Sequence, residues 1–413
     1  MIFTRQKVEG VDLNSLRHAA ARTGWLLEGP DGVRAGLGGT ADVITLPEGL
    51  GDVDRALDAL RTHQLEGDLG PAGTGIVAFG SLPFDRMAPA TLTLPHILVT
   101  VLRDGDAWIT RSEQVSDSPL DLGAGYGPDQ GLLEIDSFTF DPTADDYAHG
   151  VARAVDLLRR HEVDKVVLAR AVTGTLREAA DPAALAARLR SREPACTIYS
   201  FPTDDGRRFV GATPELLVRR TGATASAHPL AGTIAVTPHT GDEDFQSWLL
   251  GSAKNRHEHA VVADEVVAKF ASAYERVTAD AEPSIVRLRS LAHLGTWVHA
   301  SCEHEVDAPD ALEILRLMHP TAAVGGIPRD EAYRLITTIE HRDRGVYAGP
   351  LGWMDARGDG EWWVGFRGVL LHGREFEAWA GAGIVAESDP MAEREETRAK
   401  LSSVLAALLV ESI

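Results

Sequence analysis

The chain has 413 residues, of which 44% are hydrophobic, and a formal net charge of −21. This length suffices for a large buried core, while the acidic balance argues against nucleic-acid and anionic-membrane partners, because both require basic surfaces. The two cysteines provide no disulfide framework, and we find neither a signal peptide nor an apolar run of the ~20 residues that span a membrane. We therefore expect a soluble cytoplasmic protein.

The pattern of predicted elements indicates one α+β domain over residues 1–413. Residues 1–110 mix helical patterns with strand patterns such as HILVTVL, and we expect them to complete the sheets and cover the core. Residues 111–140 are rich in Gly, Asp, Ser and Pro, which indicates a loop. From 141 to 410 strands and helices alternate too irregularly for an eight-fold barrel, so the pattern predicts large antiparallel β-sheets packed together with surrounding helices.

Only five of the 40 basic Lys and Arg residues are lysines, and one of these, Lys165, lies in the strand pattern DKVVLARAV. Alternation places Lys165 on the same face as Val167 and Ala169. Because lysine can lose its proton whereas arginine cannot, Lys165 is a candidate base, although a lysine that protects an edge strand would give the same pattern. Glu215, after Pro214, is either an ordinary strand-entry acid or a carboxylic acid aimed into a cleft.

The stretch LLGSAKNRHEHAVVADEV predicts a long amphipathic helix, from about residue 242 to 277, that carries Lys254 and Glu258 one turn apart. Its His-Glu-His order is not the zinc-binding pattern H-E-x-x-H, since residues two apart do not share a helix face. His293 and His319, taken alone, are typical of core or turn histidines.

The last predicted helix carries Glu393, Glu396 and Lys400 on one face, a pattern that a solvated charged surface would also show. Glu258 and Glu396, on two helices, are the kind of ligands that Mg²⁺ takes. Lys254 and Lys400, each one turn from a glutamate, would balance the carboxylates when the metal is absent.

A glycine-rich pattern, GAGIVA, precedes this last helix. Its residues Gly381, Gly383 and Ala386 match a dinucleotide-binding motif. We reject that interpretation, because the helix does not begin at the glycines and no strand with a ribose-binding acid follows.

Ten sequence blocks occur in a fixed order, and together they indicate a family more specifically than any single pattern does. Over roughly residues 141–409 the sequence resembles the chorismate-utilising enzymes, and among them the isochorismate synthases. The blocks are DKVVLAR, GATPELL, HPLAGT, SAKNRHEH, LAHLGT, HPTAAVGGIPR, RGVYAGPLGW, GEWWVGFRG, AGAGIVAESDP and EREETRAKL.

The resemblance implies a site for chorismate and Mg²⁺ in a cleft between large β-sheets. It implies that Glu258 and Glu396 bind the metal, that Glu393 supports it through water, that Lys165 activates water and that Glu215 is the general acid. Arg367 and Lys400 match positions around the substrate carboxylates. The positions implied to contact substrate are Gly232, Thr233, His293, Ala323, Tyr347, Arg367, Gly381 and Lys400.

The lysine at position 165 distinguishes between members of the family. It indicates water rather than ammonia as nucleophile, so we expect no glutaminase subunit, and we expect a monomer. Salicylate synthase, which shares this lysine, is an alternative, and so is a non-catalytic anion-binding protein with the same fold. The complete set of acid, base and metal residues favours an enzyme. An enzyme of this kind is compatible with menaquinone, siderophore and salicylate biosynthesis.

Four positions depart from the pattern of the family. Asn255 stands where aspartate is usual, Ile234 where a basic residue is common, Trp297 where a smaller residue or proline is common, and Gly368 where cysteine is frequent. None of them is a predicted acid, base or metal ligand.

Overall fold

The computed structural model of the chain describes residues 1–68, 70–115, 130–236 and 246–410. Within these ranges, helices α1 to α8 cover Leu13–Thr23, Val53–Arg61, Ala144–Arg159, Pro182–Arg192, Ala253–Ala271, Ala311–Met318, Arg329–Glu340 and Pro390–Leu405. Strands β1 to β12 cover Ile2–Val8, Trp25–Gly29, Gly32–Leu46, Gln64–Gly67, Val77–Ser81, Ala90–Leu102, Ala107–Ser112, Ile135–Asp141, Lys165–Leu176, Thr197–Pro202, Arg208–Thr213 and Leu216–Thr221. Strands β13 to β23 cover Thr224–His228, Leu230–Ala235, Arg276–Ala279, Ser284–Arg287, Leu291–Gly295, Val298–Ser301, Gly326–Ile327, Pro350–Asp355, Gly360–Val364, Gly368–His372 and Glu375–Ile384.

Apart from the parallel pair β1 and β4, the large sheet is antiparallel, and it folds back on itself. It runs from β8 through β9, β23, β22, β11, β10 and β2 to the long strands β3 and β6. From β6 it continues through β5, β20, β21, β12, β13 and β18 to β15. Trp25, Phe201 and Phe209 of the first half share one buried cluster with Phe79 and Trp353 of the second, so the two halves pack face to face. The predicted α+β class with large antiparallel sheets is confirmed.

The N-terminal strands are built into the same ladder as the later ones. Strand β2 pairs with β10, and β5 pairs with β20. Helices α1, α4 and α8 cover the outer side of the first half, whereas α2, α3, α5, α6 and α7 contribute to a second buried cluster that contains strands of both halves. In the predicted loop over 111–140, β8 begins at Ile135, and residues 116–129 lie outside the described residues. No helix in the described part of the chain is long and apolar enough to cross a membrane.

The long helix predicted over about 242–277 is shorter in the structure. A π-helical turn covers Gln246–Leu250, and α5 then begins after Ser252, whose hydroxyl accepts a hydrogen bond from the backbone N–H of Asn255. Helix α5 ends at Ala271 with Ser272 as its C-cap, and β15 begins at Arg276. Residues 242–245 lie outside the described residues.

Candidate active site

One cleft brings together residues that are far apart in the sequence. It lies where β9 and β23 approach the small sheet of β14, β16 and β17, and it encloses about 870 Å³ of space including its mouth. The predicted site residues that line it are Lys165, Glu215, Thr233, Glu258, His293, Ala323, Tyr347, Arg367, Gly381, Glu396 and Lys400. Gly232 and Glu393 do not line the cleft: Gly232 precedes Thr233, and Glu393 is buried one turn before Glu396.

Lys165 is buried at the start of β9, opposite Ile327 of β19. Its burial excludes the interpretation as a surface lysine that protects a sheet edge. The ammonium Nζ lies 3.2 Å from Oε1 of Glu258 on α5. The expected balance of Glu258 by Lys254 stays a prediction, because the side chain of Lys254 lies outside the described residues.

Two glycines of β23 have no side chains and so make room for this ion pair and its neighbours. A Cβ atom on Gly383 would lie 2.7 Å from Oε1 of Glu258 and 3.1 Å from Cε of Lys165. A Cβ atom on Gly381 would lie 3.2 Å from the hydroxyl oxygen of Tyr347. The sequence interpretation missed Gly383, although the two-residue spacing of the glycines on a strand already indicated that both face one side.

Glu215 lies between β11 and β12, just after Pro214 interrupts the strand. Its carboxyl group is buried, and burial raises its pKa to about 8, against the opposing influence of the Lys165 charge and of a hydrogen bond from the backbone N–H of Leu230. A buried carboxyl group with so high a pKa holds its proton at neutral pH and can donate it. This is the property that the predicted general acid requires.

On α8, Lys400 and Glu396 form the predicted pair four residues apart, with Nζ and Oε1 at 2.7 Å. Nζ of Lys400 also donates a hydrogen bond of 2.9 Å to the carbonyl oxygen of Gly381. Both side chains face the cleft rather than bulk solvent. The alternative interpretation as a solvated charged surface is therefore wrong.

A hydrogen-bonded chain runs from Arg367 through His293 to Thr233. The Arg367 guanidinium lies 2.7 Å from Nε2 of His293, and Nδ1 of His293 lies 3.0 Å from the Thr233 hydroxyl oxygen. Arginine can only donate, so Nε2 accepts and Nδ1 carries the ring proton. Burial and the charges of Arg367 and Lys400 lower the pKa of His293 well below its usual value, so the ring is neutral.

Arg344 lines the cleft as well, and the sequence interpretation missed it. It forms a buried ion pair with Glu340, with 2.5 Å between the closest atoms, and donates to the carbonyl oxygens of Val167 and Val324 at 2.7 and 2.9 Å. Glu340 in turn accepts a hydrogen bond from the backbone N–H of Ala169. The pair therefore fixes β9, which carries Lys165, against the segment that carries Val324. The four-residue spacing of Glu340 and Arg344 was the available sequence signal.

The four departures from the family pattern lie outside the cleft lining. Trp297 stacks on His228 with ring centroids 4.3 Å apart. Ile234 packs against a small buried cluster of Leu249, Ala292 and Leu294. The backbone N–H of Asn255 takes part in the cap of α5. Gly368 of β22 pairs directly with Gly211 of the adjacent strand β11. None of these four residues therefore lies among the side chains that line the cleft.

The acidic side chains of the cleft fit a divalent cation for which the protein supplies only some of the ligands. Among the described residues, His, Cys, Asp and Glu form no group of three or more that could hold a metal ion. Glu258 and Glu396, however, line the same cleft from two helices. Mg²⁺ is typically held by one or two carboxylates, with water and substrate oxygens as its other ligands.

The combination of a buried lysine, a protonated buried carboxylic acid and cationic groups defines an acid–base site for an anionic small molecule. Comparison with known proteins agrees with this class. The family model described as chorismate binding enzyme matches residues 134–409. The chain belongs to this family, which confirms the resemblance derived from the sequence blocks.

Its relatives include isochorismate synthases. It is 37% identical to a putative isochorismate synthase MenF of Mycobacterium tuberculosis, over 82% of this chain and 88% of the relative. It is 34% identical to the vibriobactin-specific isochorismate synthase of Vibrio cholerae, over 81% of this chain and 79% of the relative. The solved structure of the menaquinone-specific isochorismate synthase MenF from Escherichia coli matches with a TM-score of 0.80 and 25% identity, over 98% of this chain and 94% of that one.

Proposed function

We propose that the protein is an isochorismate synthase, which converts chorismate to isochorismate reversibly by adding water at C2 and removing the C4 hydroxyl. The observation that carries the proposal is the pairing, in one cleft, of the buried amine of Lys165 with the buried carboxylic acid of Glu215. The names of the relatives support the same reaction. An enzyme that transfers ammonia would not need the lysine.

Substrate binding follows from the charges of the cleft. Chorismate is a dianion, and Arg367 and Lys400 provide two cations for its carboxylates. The neutral ring of His293 accepts a hydrogen bond from Arg367 and so orients the guanidinium without adding a competing charge. Tyr347, stacked on Trp379 with ring centroids 5.5 Å apart, and Ala323 supply the less polar surface for the ring.

Glu258 and Glu396 would hold Mg²⁺, and the bound ion would supply positive charge to a substrate carboxylate. In the chain alone these carboxylates are paired with Lys165 and Lys400. If these carboxylates held the metal, Lys165 and Lys400 would be available to water and substrate.

The two proton transfers are assigned to Lys165 as the base and to Glu215 as the acid. As the neutral amine, Nζ of Lys165 accepts a proton from water while the water oxygen forms its bond to C2. Both conjugated double bonds of the ring shift, the C4–O bond breaks, and Glu215 gives its proton to the departing hydroxide, which leaves as water. Arginine in place of Lys165 would stay protonated and would not accept the proton.

The test is incubation of the protein with chorismate and Mg²⁺, followed by chromatographic separation of the products. Isochorismate, formed to an equilibrium mixture from either direction, is the expected product. Salicylate with pyruvate would instead identify a salicylate synthase, and binding without any product would identify an anion-binding protein. An aminated product in the presence of ammonium salts would contradict the proposal.

A further inference from the structure

The turn that carries Arg367 has an uncommon backbone conformation. Arg367 has a φ angle of 52°, in the left-handed region that residues other than glycine rarely adopt. In this conformation its side chain reaches His293. Something must stabilise the turn, because the same residue would be less strained with a negative φ angle.

A buried tyrosine supplies one such contact. The hydroxyl of Tyr199, on β10, donates a hydrogen bond of 3.0 Å to the carbonyl oxygen of Phe366. Tyr199 is fully buried. Its hydroxyl fits because Gly211 and Gly368, which pair across β11 and β22, have no side chains: a Cβ atom on either would overlap the hydroxyl oxygen. The Tyr199 hydroxyl therefore accounts for glycine at position 368, where cysteine is frequent in the family.

The carbonyl of Phe366 and the amide nitrogen of Arg367 belong to the same peptide plane. Rotation of that plane changes the φ angle of Arg367 directly, so a contact that fixes the carbonyl also fixes this angle. We propose that Tyr199 is a positioning residue whose hydroxyl holds the Phe366–Arg367 peptide so that the guanidinium stays directed at a substrate carboxylate. The inference rests on the proposed binding of chorismate at Arg367.

Removal of the hydroxyl alone tests this role. In Tyr199→Phe the Phe366 carbonyl loses its partner, and the peptide can rotate to relieve the left-handed conformation of Arg367. We expect KM for chorismate to rise roughly tenfold, the upper range for one hydrogen bond. We expect kcat to stay within about twofold, because Lys165 and Glu215 are untouched.

The matched control is Tyr274→Phe. Tyr274 is also buried, but its hydroxyl makes no hydrogen bond among the described residues, so this variant should have the kinetic constants of the parent. A double-mutant cycle with Arg367→Ala then separates positioning from a general loss of structure. If Tyr199 acts through Arg367, Tyr199→Phe should raise KM no further once the guanidinium is absent.

The outcomes distinguish the inference from the proposed function. Absence of chorismate turnover in the parent would refute the proposed function, and calorimetric binding of chorismate to the parent and Tyr199→Phe would still test Tyr199. An unchanged KM and affinity in Tyr199→Phe, or effects of Tyr199→Phe and Arg367→Ala that simply add, would overturn the inference. A crystal structure of Tyr199→Phe gives an independent result: an Arg367 φ angle that stays near its present value would also overturn it.

Discussion

Replacement of Glu215 by glutamine tests the electrostatic basis of the site most directly. The substitution preserves the shape of the side chain but removes the proton that the general acid transfers. We expect turnover to fall by ~10²–10⁴-fold while chorismate still binds. In the parent, turnover should decline as the pH rises above about 8, because the carboxyl group then loses its proton. A variant that failed only in binding would make Glu215 a substrate-positioning group.

The same substitution has a predictable effect on stability. Burial raises the pKa of Glu215 from 4.5 to about 8 in the folded chain. Between these values the folded state binds more protons at this site than the unfolded state, so the contribution of Glu215 to stability is present at low pH and is lost as the pH rises. The slope is about 1.4 kcal/mol per pH unit, or ~5 kcal/mol over the whole interval.

Glutamine does not titrate, so the Glu215→Gln variant does not lose this part of its stability as the pH rises. The free energy of unfolding of the variant relative to the parent should therefore increase steadily from about pH 5 to about pH 8 and then level off. Urea unfolding of both proteins at matched pH values measures this difference, in which the other titrating groups cancel. A difference that does not depend on pH, or that grows toward acidic pH, would refute the reasoning.

The remaining predictions concern the base, the metal and the space around them. Lys165→Gln should lower turnover ~10²–10⁴-fold with chorismate affinity nearly intact in calorimetry, and near-normal turnover would exclude Lys165 as the base. Glu258→Gln and Glu396→Gln should each weaken calorimetric Mg²⁺ binding, most clearly with chorismate present; parent-like binding in either variant, or full activity after chelation, would rule out a shared site. Gly383→Ala should lower turnover, because its Cβ would displace the Glu258 carboxylate, whereas Gly131→Ala, whose Cβ enters open space, should behave as the parent.

Local sequence patterns predicted the elements better than their ends. The helix with Glu258 was expected to begin near residue 242, because the apolar periodicity extends beyond the structured helix. In the structure Ser252 caps α5, which therefore begins at Ala253. At its other end Ser272 caps the same helix, and the Ser272 hydroxyl donates a hydrogen bond of 2.7 Å to the carbonyl oxygen of Lys269. Both ends depend on a specific hydroxyl contact that periodicity does not contain.

Residues that act through other residues were the hardest to predict. Lys165 was identified because lysine is rare in this chain and lies in a strand pattern. The spacings that mark Arg344 and Gly383 indicate a shared face but no role. Arg344 acts by holding β9 against a loop, and Gly383 by the absence of a side chain next to Glu258. Such roles follow from pairings such as β9 with β23, which join segments more than 200 residues apart.

The charge balance of the cleft could not be predicted from a net charge of −21. The fold pairs Lys165 with Glu258 and Lys400 with Glu396, while Arg367 faces a neutral histidine. A dianionic substrate that entered alone would compete with both glutamates for these cations, and a divalent cation that entered alone would leave the lysines without counterions. Entry of both together leaves the charge of the cleft unchanged, so each should strengthen the binding of the other by the same factor. On the proposed function, an acidic protein would hold an acidic substrate by exchanging its lysine–glutamate ion pairs for pairs with the substrate and the metal.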